Sequence, residues 1–186
     1  MSKGKPANAA NPARHGEVFH TPVVRLPHGL AALVFGEGRI LSVAWEASER
    51  RLFLRIRIAH PGVRPFRGDP ARAADLLERY AAADFPSPAE VLSLPFAWER
   101  VSPFDRKVLA AAASIPPGLT ASYGEIAARS GAPKASRAVG GALGRNPWPV
   151  LIPCHRVLGA DGRLTGFGKG LAAKRSLLVF EGSLPR

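Results

Sequence analysis

The sequence predicts an α+β protein, with a small β-rich N-terminal domain followed by a mainly helical C-terminal domain. Three observations support this prediction. Apolar runs joined by turn residues fill the first half, helix-start and helix-stop signals fill the second half, and three prolines fall within residues 85–95 between them. A chain of 186 residues has room for two small domains. We interpret residues 85–95 as a linker and place the domains at 17–94 and 95–186.

The N-terminus and the single cysteine limit the cellular setting. Residues 1–16 are rich in Ala, Asn and Pro and lack an apolar segment, so they predict a flexible tail rather than a secretory signal. No apolar run approaches the ~18–20 residues of a membrane span. Because Cys154 is the only cysteine, an internal disulfide and a cysteine-cluster zinc site are excluded. We expect an intracellular, cytoplasmic protein with no membrane contact. The sequence has no phosphate-binding glycine loop or metal-ligand cluster, and we predict no cofactor and no metal.

The N-terminal domain shows three element signals. Apolar runs at 30–35 and 40–45, joined by Gly36-Glu37-Gly38, predict a hairpin. Residues 51–58 alternate between apolar and other side chains, the period of a half-solvated strand. Asp69-Pro70 then predicts the start of a helix that runs to about Tyr80.

The C-terminal domain opens with three predicted helices. Ser102-Pro103-Phe104-Asp105 starts the first, which ends before Pro116-Pro117-Gly118. Ser122-Tyr123-Gly124-Glu125 starts a short second helix that stops at Gly131. The third runs from about Lys134 to Leu143, with Gly144 as its stop. Two short helices joined by a glycine-containing turn predict a helix-turn-helix.

The third helix has two distinct faces. Ala135, Ala138, Val139, Ala142 and Leu143 form an apolar stripe at helical spacing and are predicted to face the core. The opposite side carries Lys134, Arg137, Gly141 and Arg145, with Gly140 and Gly144 beside them. Glycine inside a helix costs ~1 kcal/mol relative to alanine. Such a face suits the close approach of a DNA backbone. The alternative is a glycine-tolerant helix packed against a neighbouring element.

The charge balance favours a polyanionic partner. Lys and Arg number 26 against 14 Asp and Glu, a net charge of +12. Residues 1–99 hold 13 basic and 10 acidic side chains, whereas residues 100–186 hold 13 and 4. A half so poor in carboxylates suits nucleic acid, and the alternative is a solubilising basic surface.

Cys154 lies in the sequence Pro153-Cys154-His155-Arg156-Val157. A lone cysteine is most often a small buried hydrophobe. Here the neighbouring His and Arg predict a lowered thiol pKa and a nucleophilic thiolate. On a strand, adjacent side chains point to opposite faces, so His155 would reach Cys154 only from a turn or through a water.

These residues resemble the active-site motif of the O6-alkylguanine-DNA alkyltransferases, the methylated-DNA–protein-cysteine methyltransferases. The resemblance extends in the right order over residues 102–182. Segments 115–118 and 122–127 resemble the family's first helix-turn-helix element, and 134–142 its recognition helix. Gly166-Phe167 resembles the substrate loop and 174–182 the C-terminal helix. The resemblance implies an RNase H-like N-terminal domain and a winged helix-turn-helix C-terminal domain.

The resemblance also implies a reaction: direct-reversal DNA repair by irreversible, stoichiometric transfer of an alkyl group. The protein would act as a monomer on double-stranded DNA, bound through the minor groove, and would be nucleoid-associated in a bacterium. The alkylated guanine (O4-alkylthymine is a further candidate) would be flipped into a pocket, and Cys154 would accept its O6-alkyl group. His155, oriented by Glu181, would take the cysteine proton through a water. Tyr123 would protonate the leaving guanine, and Arg137 would fill the gap that the flipped base leaves.

Further roles follow from the same resemblance. Asn146 would be the hinge between the recognition helix and an active-site strand. Pro149, Val157, Phe167 and Gly168 would line the pocket, with the carbonyls of Cys154 and Val157 on the exocyclic amine and the Gly168 amide on O6. Contacts to DNA would come from the recognition helix and its ends, that is, from Arg137, Lys134, Ala138, Gly140, Gly141 and Arg145.

The sequence departs from the family pattern in places and leaves alternatives open. Phe167-Gly168 replaces the common Tyr-Ser pair, and Phe104-Asp105 the common Phe-Gln pair. Some members bind zinc through N-terminal cysteines, which this chain lacks. Singly, Tyr123 fits an inward-packing aromatic residue, Asn146 a turn residue and Glu181 a solvated helix charge. Rival functions are a lesion-binding helix-turn-helix protein without chemistry and a cysteine hydrolase.

Overall fold

The computed structural model describes residues 17–65 and 72–185. The predicted flexible tail at 1–16 and the predicted helix start at Asp69-Pro70 lie outside these residues. Within the described ranges the chain is a mixed α+β structure, in which helices pack on a small sheet and on one another. No helix in this part of the chain is long and apolar enough to cross a membrane.

The sheet is built around one long strand. β3 (Gly29–Gly36) pairs antiparallel with β4 (Arg39–Glu46) along one edge. Two short strands, β1 (Val18–His20) and β2 (Val24–Leu26), share its other edge, and β5 (Arg64–Pro65) runs parallel to β1. The predicted hairpin is confirmed. Its turn places Glu37 and Gly38 at positive φ, 52° and 72°, a region that glycine enters at little cost.

The strand predicted at residues 51–58 is wrong. This segment is a helix, α1 (Glu49–Ala59), whose N-cap Ser48 accepts a hydrogen bond from a backbone amide. Leu52 and Ile56, one helical turn apart, are its buried residues. Leu54 and Ile58, which completed the apparent alternation, are exposed. The capping signal and the i, i+4 pair therefore outweigh the period-2 pattern.

The linker predicted at residues 85–95 is partly helical. α2 (Arg72–Ala81) precedes it, and α3 (Pro88–Leu92) lies within it. Ser87 and Glu90 form a complete capping box around α3, with Pro88 at the start of the helix. Proline therefore begins a helix here instead of extending the chain.

In the second half of the chain, two helices start at the predicted capping residues. α4 (Pro103–Ala113) is capped by Ser102, and α5 (Tyr123–Arg129) by a capping box of Ser122 and Glu125. β6 (Ala121–Ser122) pairs parallel with β7 (Val157–Leu158), and α7 (Leu171–Phe180) lies near the C-terminus. These caps confirm two of the predicted helix starts.

The third predicted helix is α6 (Ser136–Gly144), which starts two residues later than predicted. Val139, Ala142 and Leu143 are buried as predicted, but Ala138 is exposed and Ala135 is only half-buried, outside the helix. The predicted apolar stripe is therefore too wide. Alanine carries too little apolar surface to show from sequence which way it faces.

Both halves of the chain share one core. The buried cluster runs from β3 and β4 through α2, α4 and α6 to α7. Trp148 anchors this junction: its ring packs on Phe96, and its indole Nε1 donates to the Ile40 carbonyl at 2.9 Å. The Val43 amide also donates to the Pro147 carbonyl at 2.8 Å. The segment that follows α6 is thereby fixed to the sheet.

Candidate active site

Cys154 begins a one-turn 3-10 helix, Cys154–Arg156, rather than lying on a strand. The predicted active-site strand is therefore wrong, because residues 150–152 form turns and an isolated bridge. Val150 in this segment has φ of 75°, a rare conformation for a β-branched residue. The tight turn holds the thiol at 8% exposure, at the edge of a cavity.

Asn146 contacts the thiol directly. Its side-chain amide Nδ2 donates to the Cys154 Sγ at 3.3 Å and to the Ile152 carbonyl at 2.9 Å. Its Oδ1 accepts from the Trp148 amide at 2.9 Å. Asn146 follows the turn at Arg145, and its side chain holds the segment that leads to Cys154.

His155 and Glu181 form a buried pair behind the thiol. His155 Nε2 lies 2.8 Å from Glu181 Oε1, and neither side chain has any exposed surface. Because the carboxylate can only accept, Nε2 carries the proton and Nδ1 is the free basic nitrogen. His155 Nδ1 has no hydrogen-bond partner. Burial lowers the pKa of His155 against the opposing effect of Glu181, so the ring is neutral at neutral pH and its Nδ1 carries no proton.

Glu181 accepts four hydrogen bonds. Oε1 receives the Tyr80 hydroxyl at 2.6 Å, His155 Nε2 and Arg156 Nη2 at 3.0 Å, and Oε2 receives Arg156 Nε at 2.8 Å. Burial alone would raise the pKa of Glu181, but His155 and Arg156 lower it to about 2. The alternative that Glu181 is a solvated helix charge is therefore wrong.

The predicted lowering of the Cys154 pKa is also wrong. Burial raises the pKa of the thiol, and the Asn146 hydrogen bond and the Lys174 charge oppose that rise only in part. Arg156, which the sequence offered as a neighbouring cation, turns away and binds Glu181 and the Ile115 carbonyl. The thiol is protonated at neutral pH, so it needs a base to react.

Lys174 is a fully buried lysine in α7 that acts on the same site. Its Nζ donates to the carbonyls of Val157 at 2.6 Å and Thr165 at 2.7 Å, and lies 5.9 Å from the centroid of the Tyr123 ring. Burial lowers the pKa of Lys174 to about 8, and the Cys154 charge opposes that change. Lys174 therefore provides a positive charge that would stabilise a thiolate at Cys154.

A cavity of about 710 Å³ opens over Cys154. Among the predicted residues, it is lined by Cys154, Tyr123, Asn146, Pro149, Phe167, Gly168, Arg137 and Gly140. Val157 does not line it, since it is buried and its carbonyl binds Lys174. The Tyr123 hydroxyl lies 3.4 Å from the Gly166 carbonyl at the cavity wall. Tyr123 therefore both packs on the core, as the alternative held, and lines the cavity.

The basic face of α6 is exposed where predicted. Arg137 and Gly141 lie on the surface of α6, and Gly140 packs over the Tyr123 ring. Lys134 is also exposed, but it lies in the turn before α6 and not on the helix as predicted. Arg145 has a structural partner, because its Nε and Nη2 bind the two carboxylate oxygens of Asp105 at 3.0 and 2.8 Å. Asp105, which stands where the family commonly has Gln, thus forms an ion pair that joins α4 to the end of α6.

The N-terminal half forms one side of the cavity mouth. Phe167 packs edge-on against Trp45, and Lys169 forms an ion pair with Glu46 at the end of β4. Arg55 of α1 lies 3.5 Å from the same carboxylate and lines the cavity. Two cavity-lining cations therefore share one carboxylate.

Sequence reasoning missed five residues of the site: Tyr80, Lys174, Arg55 and Lys169 had no role assigned, and Arg156 had the wrong one. Their spacing along the chain carries no signal, because they come from different elements and meet only in the fold. A lysine within the apolar run of a C-terminal helix was the one visible sign. In the described part of the chain, no group of three His, Cys, Asp or Glu side chains could hold a metal ion.

The fold and the site define a protein in which a lone buried thiol, backed by a His–Glu pair, faces a cavity beside an exposed basic helix. A family model, the DNA-binding domain of 6-O-methylguanine DNA methyltransferase, matches residues 103–183. A methylated-DNA–protein-cysteine methyltransferase of Salmonella typhimurium is 38% identical over 149 residues, covering 78% of this chain and 85% of that protein. The chain therefore belongs to the methylated-DNA–protein-cysteine methyltransferase family.

Other relatives match a shorter part. The methylated-DNA–protein-cysteine methyltransferase of Mycolicibacterium paratuberculosis is 56% identical over 82 residues, 44% of this chain and 50% of that protein. The chain spans 64% of a Mycobacterium bovis relative with the same name. Among solved structures, Mycobacterium tuberculosis OGT in complex with DNA has a TM-score of 0.71 at 34% identity, over 89% of this chain and 93% of that one.

Proposed function

We propose that this protein repairs alkylated DNA by moving the O6-alkyl group of guanine to Cys154, once per chain. The observation that carries the proposal is the arrangement of Cys154 at a cavity, with a neutral His155 held by Glu181 behind it. A protein that only binds lesions has no need of a thiol backed by a base. The activity in the names of the relatives supports the same reaction.

The first step is ionisation of the thiol. Cys154 loses its proton, through a water, to His155 Nδ1, the nitrogen that Glu181 leaves free. The anionic carboxylate stabilises the imidazolium that forms. Lys174 and the Asn146 amide stabilise the thiolate.

The second step is displacement at the alkyl carbon. The thiolate forms an S–C bond as the C–O6 bond breaks, and the electron pair of that bond moves into the guanine ring. Tyr123 protonates a ring nitrogen of the leaving guanine, so that charge is neutralised as it develops. The thioether is stable, and the chain has no second cysteine to regenerate the thiol.

DNA is proposed to bind as a duplex from its minor-groove side across α5 and α6, which act as the helix-turn-helix of a winged domain. Arg137, exposed and lining the cavity, fills the gap left by the flipped base. Arg55 and Lys169 meet the backbone at the other side of the mouth. The glycines at 140 and 141 allow the close approach. We further propose that residues 17–94 form the family's RNase H-like domain, and that the protein works as a cytoplasmic, nucleoid-associated monomer in a bacterium.

The test uses a duplex with a single O6-methylguanine, digested after incubation to measure restored guanine. We expect guanine to be restored in proportion to protein and then to stop, and Cys154→Ser to restore none. Binding of the lesion without restoration would favour the lesion-binding alternative. Restoration that continues beyond one per chain would favour a hydrolase.

A further inference from the structure

The Tyr80 hydroxyl reaches the active-site carboxylate from the N-terminal half of the chain. It donates to Glu181 Oε1 at 2.6 Å, across 101 residues of sequence. The accepting oxygen is the one that also receives His155 Nε2. One atom of the His–Glu pair is therefore held from α2, an element with no residue at the cavity.

The position of this hydroxyl is tightly constrained. Tyr80 is 1% exposed, and its ring packs between Phe85 and Phe180, at centroid distances of 5.3 and 5.8 Å. The two aromatic contacts limit the movement of the ring, and the hydrogen bond to Glu181 holds its hydroxyl in place. A buried tyrosine hydroxyl normally has a partner, and among the described residues its recorded partner is this carboxylate.

We propose that Tyr80 is a positioning residue for the active site: it fixes the Glu181 carboxylate and sets how strongly that carboxylate draws the proton of His155. The inference rests on the proposed function only for its effect on alkyl transfer. Its effect on the reactivity of Cys154 is independent of any DNA substrate.

The direction of the effect follows from the charges around the pair. Glu181 contacts Tyr80 from α2 and His155 and Arg156 from the 3-10 helix. The charges of Arg156 and of Lys174 in α7 both lower the pKa of His155, whereas Glu181 raises it. The Tyr80 hydroxyl withdraws part of the carboxylate's charge from His155. Without it, the imidazolium is better stabilised, so the His155 pKa rises and the ring stays protonated to a higher pH.

The experiment measures the rate at which iodoacetamide modifies Cys154, the sole cysteine, as a function of pH. Tyr80→Phe keeps the ring and removes only the hydroxyl. Phe85→Leu is the matched control, because it weakens one packing contact of the same ring but keeps its contact with Phe180 and its hydrogen bond to Glu181. Thermal unfolding of each variant measures the structural effect separately.

We expect Tyr80→Phe to move the acid limb of the rate profile to higher pH. At a pH on that limb, where His155 stays protonated in the variant, methyl transfer from duplex DNA should slow about tenfold for a displacement of about one pH unit. Phe85→Leu should lower the melting temperature and leave the limb in place. An unchanged limb in Tyr80→Phe, or the same displacement in both variants, would overturn the inference. If the wild type accepts no methyl group, the proposed function fails, whereas the iodoacetamide profile still decides the role of Tyr80.

Discussion

The side-chain amide of Asn146 donates a hydrogen bond to the Sγ of Cys154 at 3.3 Å, the one side-chain hydrogen bond recorded for that thiol among the described residues. This hydrogen bond lowers the pKa of the Cys154 thiol, whereas burial raises it. The same side chain holds the Ile152 carbonyl and the Trp148 amide, so a single residue both shapes the loop and lowers the pKa of the Cys154 thiol.

Replacing Asn146 should therefore make the thiol harder to ionise. We expect Asn146→Asp to shift the pH dependence of iodoacetamide modification to higher pH, because the carboxylate offers no donor and repels a thiolate. Asn146→Ala should shift it less and lower the free energy of unfolding by about 1–3 kcal/mol through the buried groups left unpaired. An Asn146→Asp profile equal to the wild type would contradict this role.

Lys174 should act on Cys154 through its charge. Its pKa of about 8 means that it is mostly cationic at pH 7 and loses its charge as the pH rises through 8. Lys174→Met should raise the apparent pKa of Cys154 and slow its modification at pH 7. Lys169→Met is the matched control, since Lys169 also lines the cavity but pairs with Glu46. Equal shifts in the two variants would indicate a general effect of charge.

Arg137 should serve base flipping alone. It is exposed on α6, so Arg137→Ala should change the free energy of unfolding by no more than ~0.5 kcal/mol. Transfer from an alkylated duplex should slow about tenfold, while transfer from free O6-benzylguanine, which needs no flipping, should keep its rate. Arg57→Ala provides the control, because Arg57 is exposed on α1 and does not line the cavity. Equal slowing with both substrates would mean that Arg137 supports the cavity instead.

The cationic side chains that line the cavity, Arg55, Arg137 and Lys169, should bind DNA through its phosphates. Binding should show little sequence preference, because α6 offers small residues and cations rather than side chains that read base edges. Affinity should fall steeply between about 50 and 200 mM salt. Arg55→Ala should reduce the slope of log affinity against log salt by about one, and Arg57→Ala, exposed on the same helix but away from the cavity, should leave it unchanged. A slope insensitive to Arg55 would exclude α1 from the interface.

The sequence predicted the local features of this structure, such as caps and turns, better than the electrostatics of the candidate site. Caps and turns depend on neighbouring residues, so the helix starts at Ser102 and Ser122 and the hairpin at Glu37 were predictable. The helix α1 was not predictable in this way, because its alternating residues fit a strand equally well. Only the packed structure shows that Leu52 and Ile56 are its buried residues.

The chemistry of the site depends on long-range contacts. Arg156 follows Cys154 by two residues, yet its guanidinium binds Glu181, while the cation that acts on the thiol is Lys174. Burial, which raises the thiol pKa, is likewise a property of the packed core. A motif therefore drew attention to Cys154 and His155, but the direction of the Cys154 pKa shift required the three-dimensional structure.

The intact mass of the protein after incubation with a duplex carrying O6-methylguanine tests the central claim most directly. We expect each chain to gain the mass of one CH₂ unit, located by peptide fragmentation on Cys154, and to gain no more with excess DNA. Cys154→Ser should gain nothing. An unchanged mass with the lesion consumed, or a methyl group on any residue other than Cys154, would contradict the account.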